Sequence, residues 1–578
     1  MFTRRLPSIV LGAFLVSAVA VQPVAAQEAA RTPAGSLSAE ATPDIRGVLV
    51  NSQAVLDRLA TVIGLTTPNE QQQHAALKDF VDVFLFGVDV NKPVRMDIMT
   101  GGPESTYRLH VPVDNFKDFW QLNLEPLGIP VQRYPKPAYL YKLGGDANAA
   151  FSGFMLYDPK ARGGYATIVE DSKQLPAPKG PVPTEGVQNL LDSGFDAALQ
   201  LQNSTADPES IEQRHAHFAK ERAKNLDQLK RDVDESVSDF NLRKFATQTQ
   251  FAESERLYAE SRNLVAGLTV ASEKSSGSVK LHIEPLPKTS LAESVAILGQ
   301  QPSRFSGIPR GENAATTGRI HFPLDNFRKQ NLLSLLEKMR ANELEEVDAT
   351  EAGNADEKAA DKAFINGVFD RVAEGLNQGV IDGFVEMTKG QDGIYSMVGA
   401  VKSADGTQWA PVLEILPNTS RHTNLKMNVA EHGGVKLHEI MIAKESHADF
   451  HALFGSGRLL LATGPDAIWY AAGPNADESL KQAIDQSAQP GQAEPQVVSF
   501  RGELLPWIRI LDQRLGTSGR DKYRDMAIQA FQKNEGRLMI NVERKGDAVD
   551  GEIAFDRGVL RFIGKALANF SAENLAAD

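Results

Sequence analysis

The chain reads as an α+β protein built from duplicated units of antiparallel sheet with packed helices, with one long charged helix between the units. Hairpin punctuation recurs along it. Gly101-Gly102-Pro103, Ser275-Ser276-Gly277, Asp392-Gly393 and Asp405-Gly406 each sit between or beside runs of strand-like alternation. These hairpins are followed by segments of helical periodicity, an order that argues against a doubly wound sheet. The third observation is a near-repeat. Arg108-Leu109-His110-Val111-Pro112-Val113-Asp114-Asn115-Phe116-Lys117 and Arg319-Ile320-His321-Phe322-Pro323-Leu324-Asp325-Asn326-Phe327-Arg328 share Arg, His, Pro, Asp, Asn and Phe in register.

The elements follow in order. Residues 1–26 carry Arg4 and Arg5, an apolar run and the small pair Ala25-Ala26, the pattern of a secretory signal peptide. Residues 27–45 are Ala-, Thr- and Ser-rich and read as a disordered leader. An N-terminal α+β unit spans 46–205. It holds helices at 48–63 and 75–86, strands at 94–99 and 107–113, three further strands up to 169, and a Pro-rich link at 176–183. In 206–264 Phe218, Leu229, Phe240 and Phe251 recur every 11 residues on a charged background, which predicts a long, nearly straight helix with coiled-coil character. Its narrow apolar stripe needs a partner surface, most simply the protein's own domain. A middle unit at 265–405 carries an acidic, Ala-rich loop at 341–361, and a C-terminal unit at 406–578 repeats strands and then a helix.

Composition narrows the function classes. The 578-residue chain has no Cys, which removes thiol catalysis, thiolate zinc sites and iron–sulfur clusters. With 42% hydrophobic residues it has the means to hold a core without disulfides. A formal charge of −13 without a long basic run points away from nucleic acid. Beyond the signal, no segment reaches the roughly 20 apolar residues of a membrane span, so the mature chain is expected to have none.

In both repeat copies alternation places the aliphatic residues on one strand face and Arg and His on the other. Pro112 and Pro323 cannot donate to a ladder, so these strands are expected at an edge or to end at the proline. Asp114 and Asp325 sit where a helix N-cap belongs. A basic–aliphatic–His triplet recurs at Arg108–His110, Lys280–His282, Arg319–His321 and Lys436–His438. Arg108, His110, Arg319 and His321 are therefore candidate ligand-binding residues for an anion, against the plainer reading of repeated strand structure. His447 and His451 are spaced one helical turn apart and, with His438, form a candidate metal set; Glu445 is nearby. The Glu of a metalloprotease helix is missing between them, and surface histidines are the simpler reading. No G-x-S-x-G, G-x-x-x-x-G-K or G-x-G-x-x-G motif with the right context is present, and no cofactor is implied.

The segments from Lys288 to Gly299, Pro302 to Gly307, Gly433 to Ile440, Phe454 to Leu459 and Ile468 to Gly473 resemble those of large, exported, signal-peptide-bearing proteins of planctomycete bacteria. The resemblance implies an exported setting and brings no activity, cofactor or site residues. The leading expectation is a non-catalytic periplasmic or cell-envelope binding or scaffold protein of a Gram-negative-type bacterium, with an unknown protein or small molecule as partner. The alternatives are an exported hydrolase, metal-dependent or not, using the His-rich segment 422–451, and a chaperone-like clamp.

Overall fold

The computed structural model describes residues 44–574, apart from 101–104, 145–150, 161, 178–181, 204, 232, 234, 312, 351–352, 421–423, 445–446, 490, 512–517 and 533–534. The expected signal peptide and all but the end of the leader lie outside the described residues, as do the Gly101-Gly102-Pro103 turn and part of the Pro-rich link. No helix among those described is long and apolar enough to cross a membrane.

The chain forms two units. The N-unit comprises the described residues of 44–218, 258–286 and 552–574; the C-unit comprises 219–257 and 287–551. The N-unit contains β1 (Ile45–Leu49), β2 (Val94–Met99), β3 (Thr106–Pro112), β4 (Val131–Arg133), β5 (Leu140–Leu143), β6 (Gly153–Leu156), β7 (Tyr165–Val169), β8 (Ala197–Gln202), β9 (Ser261–Ala271) and β10 (Ser276–Pro285). They pair antiparallel in the order β4-β5-β6-β7-β3-β2-β1-β8-β9-β10. Helices α1 (Ser52–Gly64), α2 (Pro68–Gln73) and α3 (Ala75–Val83) connect β1 to β2. Helix α4 (Phe116–Asp118), continued by a π turn at Phe119–Leu124, follows β3, and α5 (Gln188–Leu191) stands between β7 and β8.

Two helices, α6 (Pro208–Gln228) and α7 (Val237–Glu260), occupy the stretch expected to be one long helix. Arg222 and Glu255 pair at 2.5 Å, so α7 folds back along α6. Contact of α7 with the core of its own unit comes from a residue outside the 11-residue stripe. Leu242 of α7 packs with Leu336, Met339, Ile365 and Phe369 of the C-unit, and Arg328 reaches Glu253 at 2.8 Å.

The rest of the C-unit opens with α8 (Ser290–Ala296) and β11 (Thr316–Pro323). Then come α9 (Asn326–Ala349), α10 (Ala355–Asn377), β12 (Val380–Lys389), β13 (Tyr395–Lys402), α11 (Trp409–Leu413), β14 (Asn424–His432), β15 (Val435–Met441), α12 (Ala448–Phe454), β16 (Arg458–Thr463), β17 (Ala467–Ala472), α13 (Ala476–Ser487), β18 (Gln496–Glu503), α14 (Leu504–Leu511), α15 (Ser518–Ala530), β19 (Arg537–Lys545) and β20 (Ala548–Phe555), whose residues from 552 on are counted with the N-unit. The strand order is β14-β15-β16-β17-β13-β12-β11-β18-β19-β20. This is the N-unit order, strand for strand. The boundary expected at 405/406 cuts through this sheet, since β13 pairs with β17. A last helix, α16 (Arg557–Asn574), belongs to the N-unit, where Lys565 bonds Glu70 at 2.6 Å.

Local chemistry explains the boundaries. Asn51 caps α1 by accepting from the Ala54 N–H, and Asp325 caps α9 by accepting from Arg328. Asn354 and Glu357 form a reciprocal capping box that starts α10 inside the expected acidic loop. Residues 341–349 and 355–361 of that stretch are helical, and Asn342 and Glu343 are buried. Gly393, at φ 83°, makes the β12–β13 turn as its Asp-Gly pair predicts. Asp405 departs from expectation: it caps a short 3-10 helix at Gly406–Gln408 instead of turning a hairpin. The repeat strands β3 and β11 are central, flanked by β2 and β7 and by β12 and β18. Their prolines stand at the strand ends, where no ladder bond is lost.

Each N-unit face has its own cover. Val111, Val113, Leu143 and Met155 pack under Phe119 and Leu124 on one side. On the other, Val48 and Ala198 lie under Val187 and Leu190. In the C-unit Trp469 (1% exposed) is enclosed by Phe305, Phe384, Leu437 and Leu480.

Candidate ligand-binding site

Period-two geometry gathers the polar residues of the N-unit on one sheet face, the face covered by α5. Across β8, β1, β2 and β3 the register runs Gln200, Arg46, Asp97, Arg108. Two residues along, Arg95, His110 and Thr167 stand abreast on β2, β3 and β7. At the other side Gln202 of β8 faces Asn263 of β9.

The β2–β3–β7 end is closed, and its charged side chains are engaged by protein partners. Arg95 grips Asp97 with two bonds of 2.6 and 2.9 Å and donates to the Pro183 and Glu185 carbonyls. His110 (3% exposed) lies 3.3 Å from Asp97 (2% exposed) through Nε2 and 2.9 Å from the Thr167 hydroxyl through Nδ1. Asp97 only accepts, so Nε2 carries the proton and Nδ1 accepts from Thr167. Arg162 donates to the same hydroxyl, and Arg108 donates to the Gln174 carbonyl. Burial pushes the His110 imidazole down to about 4, more than its bond to Asp97 raises it. Burial alone would raise the Asp97 carboxyl, but the bonds from His110 and Arg95 outweigh it and hold the group below its ordinary value. Burial and then the neighbouring Arg108 lower Arg162 to about 10.

The β8–β9 end is open. A cavity of about 570 Å³ is lined by Asn189 of α5, Gln200, Gln202, Asn203, Ala206, Arg262, Asn263, Glu284 and Leu286. This volume is within the range of small-molecule sites. Gln200 Nε2 donates to Asn263 Oδ1 at 2.8 Å, while Gln200 Oε1 is buried without any partner. Gln202 Oε1 accepts from Arg46 at 2.6 Å, and Asn203 Nδ2 donates to the carbonyls of Tyr258 and Ser261. Arg262 and Glu284 pair at 2.8 Å. Arg46 Nε is a second buried atom without a partner. Native interiors leave few polar atoms so placed, and each one needs a reason.

The sequence candidates divide. Arg108 and His110 stand on the same face as the cavity residues but at its sealed end, occupied by protein partners. Arg319 is a structural clamp that donates to the carbonyls of Phe305, Ile308 and Pro309 and lies over the Phe384 ring. His321 sits 3.3 Å from buried Asp382, which also accepts from Ser303 and Arg304. The two pairs of repeat residues belong to separate units. The metal set does not assemble. His438 (0% exposed) is bonded to the Asn428 N–H and the Thr463 hydroxyl, and His451 bonds the Ile442 carbonyl. His447 precedes α12 as its cap residue. Among the described residues no group of three or more His, Cys, Asp or Glu is placed to hold a metal. His422 and Glu445 lie outside the described residues.

The cavity amides escaped the sequence reading. The one available signal was Gln200-Leu201-Gln202, two amides a strand period apart at the end of a short apolar run. The chain matches no known family model, no curated protein and no solved structure.

Proposed function

We propose that this is an exported, non-catalytic binding protein whose ligand sits in the amide-lined cavity of the N-unit. The reading rests on one observation: Gln200 Oε1 is buried at the cavity wall with no protein partner. An acceptor in that position costs stability unless something outside the chain satisfies it. Two further features support a binding role over a hydrolytic one. The His110–Asp97 pair, the feature nearest to an acid–base device on this face, is sealed between protein partners. The amides themselves are poor nucleophiles and poor bases but good hydrogen-bonding groups.

We further propose that the two ten-strand sets are copies of one ancestral unit, since their pairing order is identical throughout. In the first copy a cavity opens beside the apolar cluster under the helix between the seventh and eighth strands; in the second Trp469, Phe305 and Leu480 pack together on the matching face. Export follows from the N-terminal pattern of Arg4, Arg5 and the apolar run.

The test exposes the mature chain to a small-molecule extract of the exporting cells, followed by washing and mass spectrometry of retained compounds. Asn189 is exposed on α5 at the cavity, so Asn189→Trp blocks it without touching the core. Wild type is expected to retain a compound that the variant loses. Equal retention by both would sink the assignment.

A further inference from the structure

We infer that the cavity takes a neutral polyhydroxylated ligand, a small sugar or polyol, in preference to an ion or an apolar molecule. The inference rests on the cavity being the ligand site and adds the class of ligand.

It follows from which hydrogen-bonding atoms the protein has already used. Gln202 must turn its oxygen to Arg46, because a guanidinium only donates, and this leaves its Nε2 as a donor. Asn203 must turn its nitrogen to the two carbonyls it serves, and this leaves Oδ1 as an acceptor. The Gln200–Asn263 bond consumes one donor and one acceptor, leaving Gln200 Oε1 and Asn263 Nδ2. Turning both amides over leaves one donor and one acceptor again. The cavity amides therefore present both donors and acceptors, mixed over one small wall. Hydroxyl groups suit such a wall because each one donates and accepts.

Charge excludes the first competitor. Arg262 and Glu284 are the two charged side chains of the lining, and they neutralise each other at 2.8 Å. Arg46, outside the lining, is bonded to Gln202, with Arg95 adding to its charge and Asp97 and Asp44 opposing it. Within the lining itself an anion or a cation would surrender its hydration and meet no spare counter-charge. Polarity excludes the second. An apolar ligand would seal off the amides and leave each without a partner, while Ala206 and Leu286 alone offer it apolar contact. No aromatic ring lines the cavity to stack on a sugar, so affinity comes from hydrogen bonds and modest contact area.

Isothermal titration of the mature full-length chain decides the matter. The neutral probes are glucose, N-acetylglucosamine, trehalose, sucrose and myo-inositol; the controls are inorganic phosphate, glutamate and laurate. Heat, not melting temperature, is the readout, because excluded sugars stabilise most proteins without binding. Saturable binding of at least one neutral probe is expected, weakened at least tenfold in Asn263→Leu and in Asn189→Trp. The second variant changes an exposed residue, so it keeps the test valid should the first fail to fold. Phosphate, glutamate or laurate binding that Asn189→Trp abolishes, with no neutral probe bound, would overturn the ligand class and leave the cavity as the site. Neutral binding that neither variant alters would overturn the inference, as would no binding by any probe; the latter also removes the cavity reading.

Discussion

The two units place the same strand order under a helix that joins the seventh strand to the eighth, yet build opposite interiors there. In the N-unit the register across β1, β2 and β3 is Arg46, Asp97, Arg108. In the C-unit the strands at the same places, β11, β12 and β13, with β17 beyond, align Arg319, Phe384, Ala400 and Trp469. Each row begins with an arginine. In the C-unit that arginine is tethered to three loop carbonyls and laid on Phe384, and Phe305 and Ile308 fill the space beside it. In the N-unit Arg46 instead holds Gln202 at the edge of a hollow. A backbone order thus fixes neither the polarity of its interior nor the presence of a site; the side chains on one face decide both.

The contrast predicts different kinds of fragility. Trp469 meets Phe305 at a ring separation of 5.5 Å and Phe384 at 6.1 Å, in the centre of the apolar row. Trp469→Ala should cost the C-unit about 3–5 kcal/mol, the usual penalty for emptying an aromatic site in a packed core. Urea unfolding followed by hydrogen exchange, read separately in each unit, measures it. A loss below about 1 kcal/mol would mean that the filled interior is looser than its packing indicates.

The polar row should instead be sensitive to acid. His110 is held at about 4 when folded and returns to about 6.5 when unfolded. The unfolded chain therefore binds the extra proton between these values, so the stability is whole above pH 6.5 and drains away as pH falls toward 4. The difference amounts to roughly 3 kcal/mol for the N-unit. His74 of the N-unit and His438 of the C-unit are also lowered by burial and act in the same direction. The informative quantity is thus the change made by His110→Gln, which can still donate to Asp97 and accept from Thr167. The variant should flatten the N-unit's pH dependence in that window and leave the C-unit's unchanged. An unaltered slope would show that His110 is not the group responsible.

Much of the frame was legible. Several hairpins, the Asp325 cap and the α+β class follow from local rules, and Arg108 and His110 do share one strand face; in the first repeat copy the cap is Asn115 and not the expected Asp114. The reading failed where local and tertiary information part. Alternation tells which residues share a face but not which face is covered, and β3 is buried on both. The near-repeat pairs β3 with β11, although the strand in β11's place in the first set is β1. The strands that matter most, β1 and β8, are short and carry their polar residues inward. Ile45-Arg46-Gly47-Val48-Leu49 shows a glycine where the outward polar residue should be, so the strand is lost between the expected leader, which ends at 45, and the helix expected from 48. The expected acidic loop at 341–361 failed for a different reason: composition suggested disorder, but a capping box and tertiary contacts to buried Asn342 and Glu343 made it helix.

The smallest effect is the sharpest test of why the N-unit stayed polar. Gln200 and Asn263 are bonded to each other across β8 and β9, and Gln200 keeps one buried oxygen unsatisfied. Replacing one partner alone, Gln200→Leu, strands Asn263 and should cost about 1–3 kcal/mol. Replacing both, Gln200→Leu with Asn263→Leu, removes the bond and the orphaned acceptor together. The pair should be neutral or stabilising by up to about 1 kcal/mol in chemical denaturation, while ligand retention is lost. Stability gained as binding disappears would mean the amides persist for the ligand and not for the fold. A double variant as damaged as the single one would show instead that these amides are structural, and the difference between the two units would then be one of packing alone.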